Sequence, residues 1–307
     1  MKNYRVKHVD AFTSHPFAGN PAGVVVEAKG MSDSDMQMLA RENNLPETAF
    51  VSPPTAKGAD LQIRWFSPTT EVALCGHATI ASFHALAEEG LEGMSTQGQH
   101  YFKLQTKSGV LSIRVEKNFQ GTTVEFELPT PKFRVRKILS VGIAKAIGIS
   151  KTDLDMRFPL LVDSDLFIAV KKFKTLKTLE PDFAALKKAS AKEKIRGVCL
   201  FTLETVDKTS AVHSRFFAPA VGINEDPVTG SANGPLGVIL YEFALPKGMV
   251  VPSRQLSDGR IEFIGEQGFT INRPGHVKIR VTEADGKVRG VSIAGEAVTV
   301  MNSIASF

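Results

Sequence analysis

Hydrophobic positions recur with two different periods along this chain. Residues 4–12 and 22–27 are β-branched runs, split by the turn-forming segment Ser14-His15-Pro16-Phe17-Ala18-Gly19-Asn20-Pro21. Ser32 then suits a helix N-cap, with Asp33 and Asp35 in the first turn, and Met36, Leu39 and Ala40 form a stripe that stops near Asn43-Asn44. Residues 48–52 and 61–66 read as strands. Residues 111–116 and 124–128 alternate strictly, so each has one buried and one wet face, the mark of antiparallel sheet. The run Leu128-Pro129-Thr130-Pro131-Lys132 interrupts the pattern and is read as a domain boundary. Beyond it the pattern predicts a helix over 138–147 and strands over 166–170 and 198–202. A lysine-rich helix follows over 183–194, with closing strands over 277–281 and 297–300.

One pattern occurs twice. Arg64-Trp65-Phe66-Ser67-Pro68 precedes Glu71-Val72-Ala73-Leu74-Cys75-Gly76-His77-Ala78. Arg215-Phe216-Phe217-Ala218-Pro219 precedes Glu225-Asp226-Pro227-Val228-Thr229-Gly230-Ser231-Ala232. Both copies run strand, proline, acidic loop, glycine, apolar helix, with a three-residue insertion in the second. The repeat predicts two similar domains, residues 1–130 and 131–294.

The two helices that follow are apolar all round: Ile80, Ala81, Phe83, Leu86 and Ala87 in the first copy, Leu236, Val238, Ile239 and Leu240 in the second. Such helices are buried, so each domain should wrap its strands around one of them. A helix start carries unpaired N–H groups and about half a positive charge. Gly76 and Gly230 let another molecule approach that backbone, and a carboxylate suits it. The competing structural reading has Thr79 and Ser231 simply capping their own helices.

Acid–base groups lie near these starts. His77 follows Gly76, and Asp226 precedes Gly230. Glu47 sits between a helix end and an apolar strand, where an enclosed carboxylate can take and return a proton near neutral pH. Cys75 adjoins the first start and reads either as a thiolate or as a small buried hydrophobe. Cys199, within Gly197-Val198-Cys199-Leu200-Phe201, reads as core.

Composition narrows the classes. Apolar residues make up 43% and charged residues 22% of the 307, which suits a packed core rather than disorder. Two cysteines exclude a disulfide framework and a four-thiolate zinc site, and a reduced, cytoplasmic setting is expected. The charge of +5, from 37 basic and 32 acidic residues, is spread along the chain. It fits small acidic ligands rather than nucleic acid, and the lysine run reads as a solvated helix face. No apolar stretch reaches the ~18–20 residues of a membrane span. There is no phosphate-binding glycine loop, nucleophile elbow or His-Glu-x-x-His, and the histidine spacing suggests no metal.

These residues resemble the PhzF-like (phenazine biosynthesis-like) isomerases of the diaminopimelate epimerase-like superfamily. The resemblance is carried by Val9-Asp10-Ala11-Phe12 with Phe17-Ala18-Gly19-Asn20-Pro21-Ala22-Gly23-Val24, by Leu45-Pro46-Glu47-Thr48-Ala49-Phe50, and by the two repeat copies. It implies an α+β fold of two pseudo-symmetric domains, each a mixed sheet curled around a central helix, with the active site in the cleft between them and the last strand, about 295–307, returning to the first domain. It implies that Glu47 moves a proton while His77 and Asp226 assist and hold the substrate. Asn20 and the backbone at Gly76-His77 and Gly230-Ser231 would bind a small carboxylate-bearing substrate, without cofactor or metal, in a homodimer. The superfamily's epimerases use two opposed cysteines. Here Cys75 faces Thr229 or Pro227, so a same-face proton shift by one carboxylate fits better than two-thiol racemisation. The alternatives are Cys75-dependent epimerisation and a non-catalytic metabolite-binding protein.

Overall fold

A computed structural model describes residues 2–307. The chain divides into two compact units, Met1–Glu127 with Ser292–Phe307, and Leu128–Val291.

The first unit holds strands β1 (Asn3–Ala11), β2 (Asn20–Val25), β3 (Glu47–Ser52), β4 (Leu61–Phe66), β5 (Glu71–Val72), β6 (Gly98–Thr106), β7 (Gly109–Asn118) and β8 (Gly121–Leu128). Its helices are α1 (Asp33–Asn43) and α2 (Gly76–Glu88). The second unit holds β9 (Arg134–Arg136), α3 (Val141–Ile147), β10 (Leu160–Val162), β11 (Leu166–Ala169), α4 (Phe173–Thr178), α5 (Phe183–Glu193), β12 (Val198–Thr202), β13 (Val212–Ala218), β14 (Ile223–Asp226), α6 (Gly230–Ile239), β15 (Arg254–Gln255), β16 (Ile261–Gln267) and β17 (Gly275–Ala284). The strand β18 (Lys287–Gly295) ends in the first unit, as does β19 (Ala297–Ser306), which pairs antiparallel with β1 from Asn3↔Ser306 to Ala11↔Ala297.

Each unit is a mixed sheet, and the two sheets follow one plan. In the first, β1/β2 is antiparallel, β2/β3 parallel, β3/β4 antiparallel, β4/β6 parallel and β6/β7 antiparallel. In the second, β10/β11, β11/β12, β12/β13, β13/β16 and β16/β17 repeat that sequence of senses. The repeat seen in the sequence around the two glycines therefore extends across both sheets.

The first unit is layered around its helices. Ser32 closes a capping box with Asp35, and Met36, Leu39 and Ala40 pack with Val6, Val25, Phe50 and Phe66. The helix α2 packs on β1, β2, β3 and β19 and is buried from His77 to Ala87 except at His84. In the second unit α6 packs on β16 and β17. The approach is close enough that a Cβ on Gly237 would lie 2.3 Å from Ile279 Cγ2. A separate cluster of Ile143, Ile147, Leu186, Val198, Leu200 and Phe217 forms a core with α3 and α5. Lys187, Lys188 and Lys192 of α5 face solvent.

Several strands lie outside the predicted segments, among them β6, β9, β10, β15, β16 and β18, and for β6 and β16 the physical reason is plain. In β6 the first four residues, Gly98 to Tyr101, are not buried, and burial begins at Phe102. In β16 the inward positions include Glu262 and Glu266, 5% and 0% exposed. Glu262 is held by Arg254 and Arg280, and Glu266 by His213.

Candidate active site

The first unit brings three sequence-predicted residues, Glu47, Cys75 and His77, together. Glu47 opens β3, which lies parallel to β2 with Ala22↔Glu47 in register. Asn20, fully buried, opens β2. His77 is the second residue of α2, and Cys75 is its N-cap. His77 Nε2 lies 3.3 Å from Glu47 Oε2, with side-chain exposures of 9% and 12%. Cys75 Sγ lies 3.5 Å from His77 Nδ1 and 3.9 Å from Nε2. Burial pushes the His77 imidazole down to about 4, only partly opposed by its hydrogen bond with the Pro21 backbone. The ring is therefore neutral at physiological pH. Proline has no N–H, so the ring must donate to the Pro21 carbonyl, which leaves its other nitrogen with a lone pair.

The start of α2 is not capped by a side chain. Cys75 makes no cap hydrogen bond, and Thr79 turns its hydroxyl back to the Cys75 carbonyl at 2.7 Å. The simple capping reading therefore fails for Thr79. Gly76 has an ordinary φ, and a Cβ there would meet Phe126 Cζ at 3.4 Å, ordinary van der Waals contact.

The second unit repeats this construction with different chemistry. Thr229 is the N-cap of α6 and makes no cap hydrogen bond either. Its hydroxyl donates to Asp226 Oδ2 at 2.5 Å, and Asn233, four residues on, donates to the Thr229 carbonyl at 3.0 Å, as Thr79 does to Cys75. Asp226 ends β14 and is half-buried; Gly230 is buried and Ser231 exposed. The Ser231 hydroxyl accepts from Arg196 at 3.1 Å, and Arg196 is paired with Asp165, so Ser231 does not cap its helix.

Sequence reasoning missed Gln267, the last residue of β16. Its amide donates to the Asp226 carbonyl at 2.8 Å and to the Thr229 hydroxyl at 3.0 Å. Its oxygen accepts from the Thr229 N–H and from Asn233, both at 3.1 Å. It fixes the loop between Asp226 and α6. No local motif signals it, because its partners lie about forty residues upstream.

Sequence reasoning also missed a matched pair of struts. Arg64 donates to Glu71 at 2.8 Å and lies 5.1 Å from the Phe66 ring centroid. Arg215 donates through both Nε and Nη2 to Glu225, each at 2.8 Å, and lies 4.9 Å from the Phe217 ring. In both units the pair ties the strand to the loop that launches the buried helix. The Arg and Glu are visible at equivalent places in both sequence copies, and that was the available signal.

Glu47, Cys75 and His77 each offer a ligand atom within 4.8 Å of the others, so this trio could hold a metal ion. Sequence spacing gives no metal pattern, because Glu47 reaches the group from a separate strand. Cys199 is 0% exposed in β12, and burial pushes its thiol well up, as expected for core. Among the described residues no helix is long and apolar enough to cross a membrane.

Comparison with known proteins follows the same lines. Residues 9–303 match the model of the phenazine biosynthesis-like protein family. An uncharacterized isomerase of Clostridium acetobutylicum is 35% identical, covering 99% of this chain and 98% of that protein. The uncharacterized isomerase YddE of Escherichia coli is 34% identical, over 97% of each. Among solved structures, a PhzF-family phenazine biosynthesis protein of Bacillus anthracis superposes with a TM-score of 0.86 at 30% identity, over the whole of both chains.

Proposed function

Since the chain belongs to the phenazine biosynthesis-like family and is an isomerase, we propose that it shifts a proton on a small carboxylate-bearing metabolite, with Glu47 as the only acid–base group. The Glu47–His77 contact at 3.3 Å, beside an uncapped helix start, carries this reading. Glu47 takes a proton from a carbon next to an activating group. The C–H electron pair moves into the adjoining π system. Glu47, now protonated, delivers its proton to a second carbon on the same face, so the substrate is isomerised without net gain or loss. The neutral His77, through the nitrogen that keeps its lone pair, accepts from the Glu47 carboxyl once that group is protonated and so orients it for proton return. N–H groups at Gly76-His77 are suited to the substrate carboxylate. Asn20, Asp226 and the backbone at Gly230-Ser231 enter the proposal as substrate-holding groups. No step in this reading needs a cofactor.

The test is a screen of carboxylate metabolites in deuterated water, read by mass. A substrate should gain deuterium, and Glu47→Gln should slow that gain by about 10²–10⁴-fold. Full activity in Glu47→Gln would overturn the assignment. A second reading is favoured by the 3.5 Å contact of Cys75 Sγ with His77 Nδ1: a thiol base acting in one-sided epimerisation. Deuterium exchange with inverted configuration, abolished by Cys75 alkylation but surviving Glu47→Gln, would establish it instead.

A further inference from the structure

We propose that Glu47, Cys75 and His77 form a three-ligand site for a borderline-soft divalent cation, Zn²⁺ above all, and that the ion inhibits the enzyme reversibly. In a tetrahedral zinc site, bonds of roughly 2.0–2.2 Å to nitrogen and oxygen and roughly 2.3 Å to sulfur place neighbouring ligand atoms about 3.3–3.7 Å apart. His77 Nε2 is already 3.3 Å from Glu47 Oε2 and 3.9 Å from Cys75 Sγ, and all three ligand atoms fit within 4.8 Å of one another. Small side-chain adjustments complete the tripod.

The donor set selects the ion. A thiolate, an imidazole and a carboxylate match zinc, whereas Mg²⁺ and Ca²⁺ require oxygen ligands throughout. Three protein ligands leave a fourth position for water or an anion. The ligands sit on elements fixed by packing: the first residue of β3, and the N-cap and second residue of α2. The imidazole is held by its hydrogen bond to the Pro21 carbonyl, the outer contact that orients a metal-ligating histidine. Two anionic ligands offset the cation's charge beside the positive end of α2. Binding itself is independent of the isomerase reading. The inhibitory consequence rests on that reading, because an ion on the Glu47 carboxylate withdraws the base.

The test uses the full chain and Co²⁺ as a spectroscopic probe. One equivalent of Co²⁺ should give the thiolate-to-cobalt charge-transfer band and the intense visible bands of tetrahedral coordination, and Zn²⁺ should bleach them. Cys75→Ser should lose the charge-transfer band, and Glu47→Gln should weaken binding by at least roughly tenfold. Cys199→Ala should keep the band; circular dichroism checks that each variant is folded. No charge-transfer band in the parent protein, or a band that survives in Cys75→Ser, overturns the site. If cobalt binds through all three ligands while turnover is unaffected by Zn²⁺, the site stands and the inhibition is overturned, together with Glu47 as the base. Inhibition that a chelator reverses supports both.

Discussion

At the scale of single residues, the turn that leads into β2 depends on a glycine backbone. Gly19 precedes Asn20 and Pro21, the residues that carry β2 past His77. Its φ is +61°, and a Cβ there would lie 2.1 Å from the Ala11 carbonyl oxygen. An L-residue costs about 1–2 kcal/mol in this region of backbone space before any clash is counted. Gly58 has φ +81° with nothing within 4 Å of a Cβ. Gly19→Ala should therefore destabilise the protein by clearly more than Gly58→Ala, measured by urea unfolding. Equal losses would mean that the contact with Ala11 is relieved by a harmless shift. Asp10 supports the same turn by accepting the Phe17 N–H at 2.7 Å. Glu47 and His77 were legible because each sits in a distinctive local run. Gln267 was not, since its importance is made entirely by partners distant in sequence.

At the scale of elements, the two buried helices share a launching device, and its two copies differ in burial. Arg215 and Glu225 are 6% and 11% exposed, and Arg215 also donates to the Leu176 and Leu179 carbonyls at 2.6 and 3.0 Å. Arg64 and Glu71 are 22% and 20% exposed, with Lys107 and Asp33 nearby. Removing one partner of a buried pair costs about 3–5 kcal/mol, because the other charge is left without compensation. Solvent screening reduces that loss for the more exposed pair to about 1 kcal/mol. Arg215→Ala should thus destabilise by several times as much as Arg64→Ala in denaturant melts. The opposite order would sink the burial argument. Hydrophobic periodicity gave α1, α2 and the alternating β7 and β8. It failed for β6, where polar residues fill the first half, and for β16, where buried glutamates break the apolar stripe.

At the scale of the whole molecule, one of those glutamates, Glu266, ties stability to pH. Burial alone pushes the Glu266 carboxyl up. That effect is outweighed by hydrogen bonds from His213 at 2.7 Å and from the Val206 and Asp207 N–H groups at 2.6 and 2.9 Å, so its pKa lies below 4.5. The unfolded chain takes up this proton first as pH falls. The stabilisation from Glu266 is thus fully present above about pH 4.5 and is lost as pH falls through the lower folded value. Glu266→Gln should be less stable than the parent near pH 7, and the gap should close below pH 4.5 in calorimetry across pH. A gap that stays constant down to pH 3 would refute the linkage.

The sequence by itself determined the existence of two related halves, the burial of both central helices and the identity of the residues at their starts. These follow from local physics: an all-apolar helix must be buried, and a glycine-led start leaves N–H groups exposed to a ligand. It also supplied the family. Only the tertiary structure decided that the repeat covers both sheets, strand sense by strand sense. Only it showed that the glycine-led starts lack side-chain caps, and that Glu47, Cys75 and His77 converge to within 4.8 Å. That convergence depends on a parallel register, Ala22 against Glu47, that no local pattern encodes. Strand pairing is fixed by the packing of the whole sheet around α2, so chemistry drawn from three separate segments becomes visible only once that sheet is built.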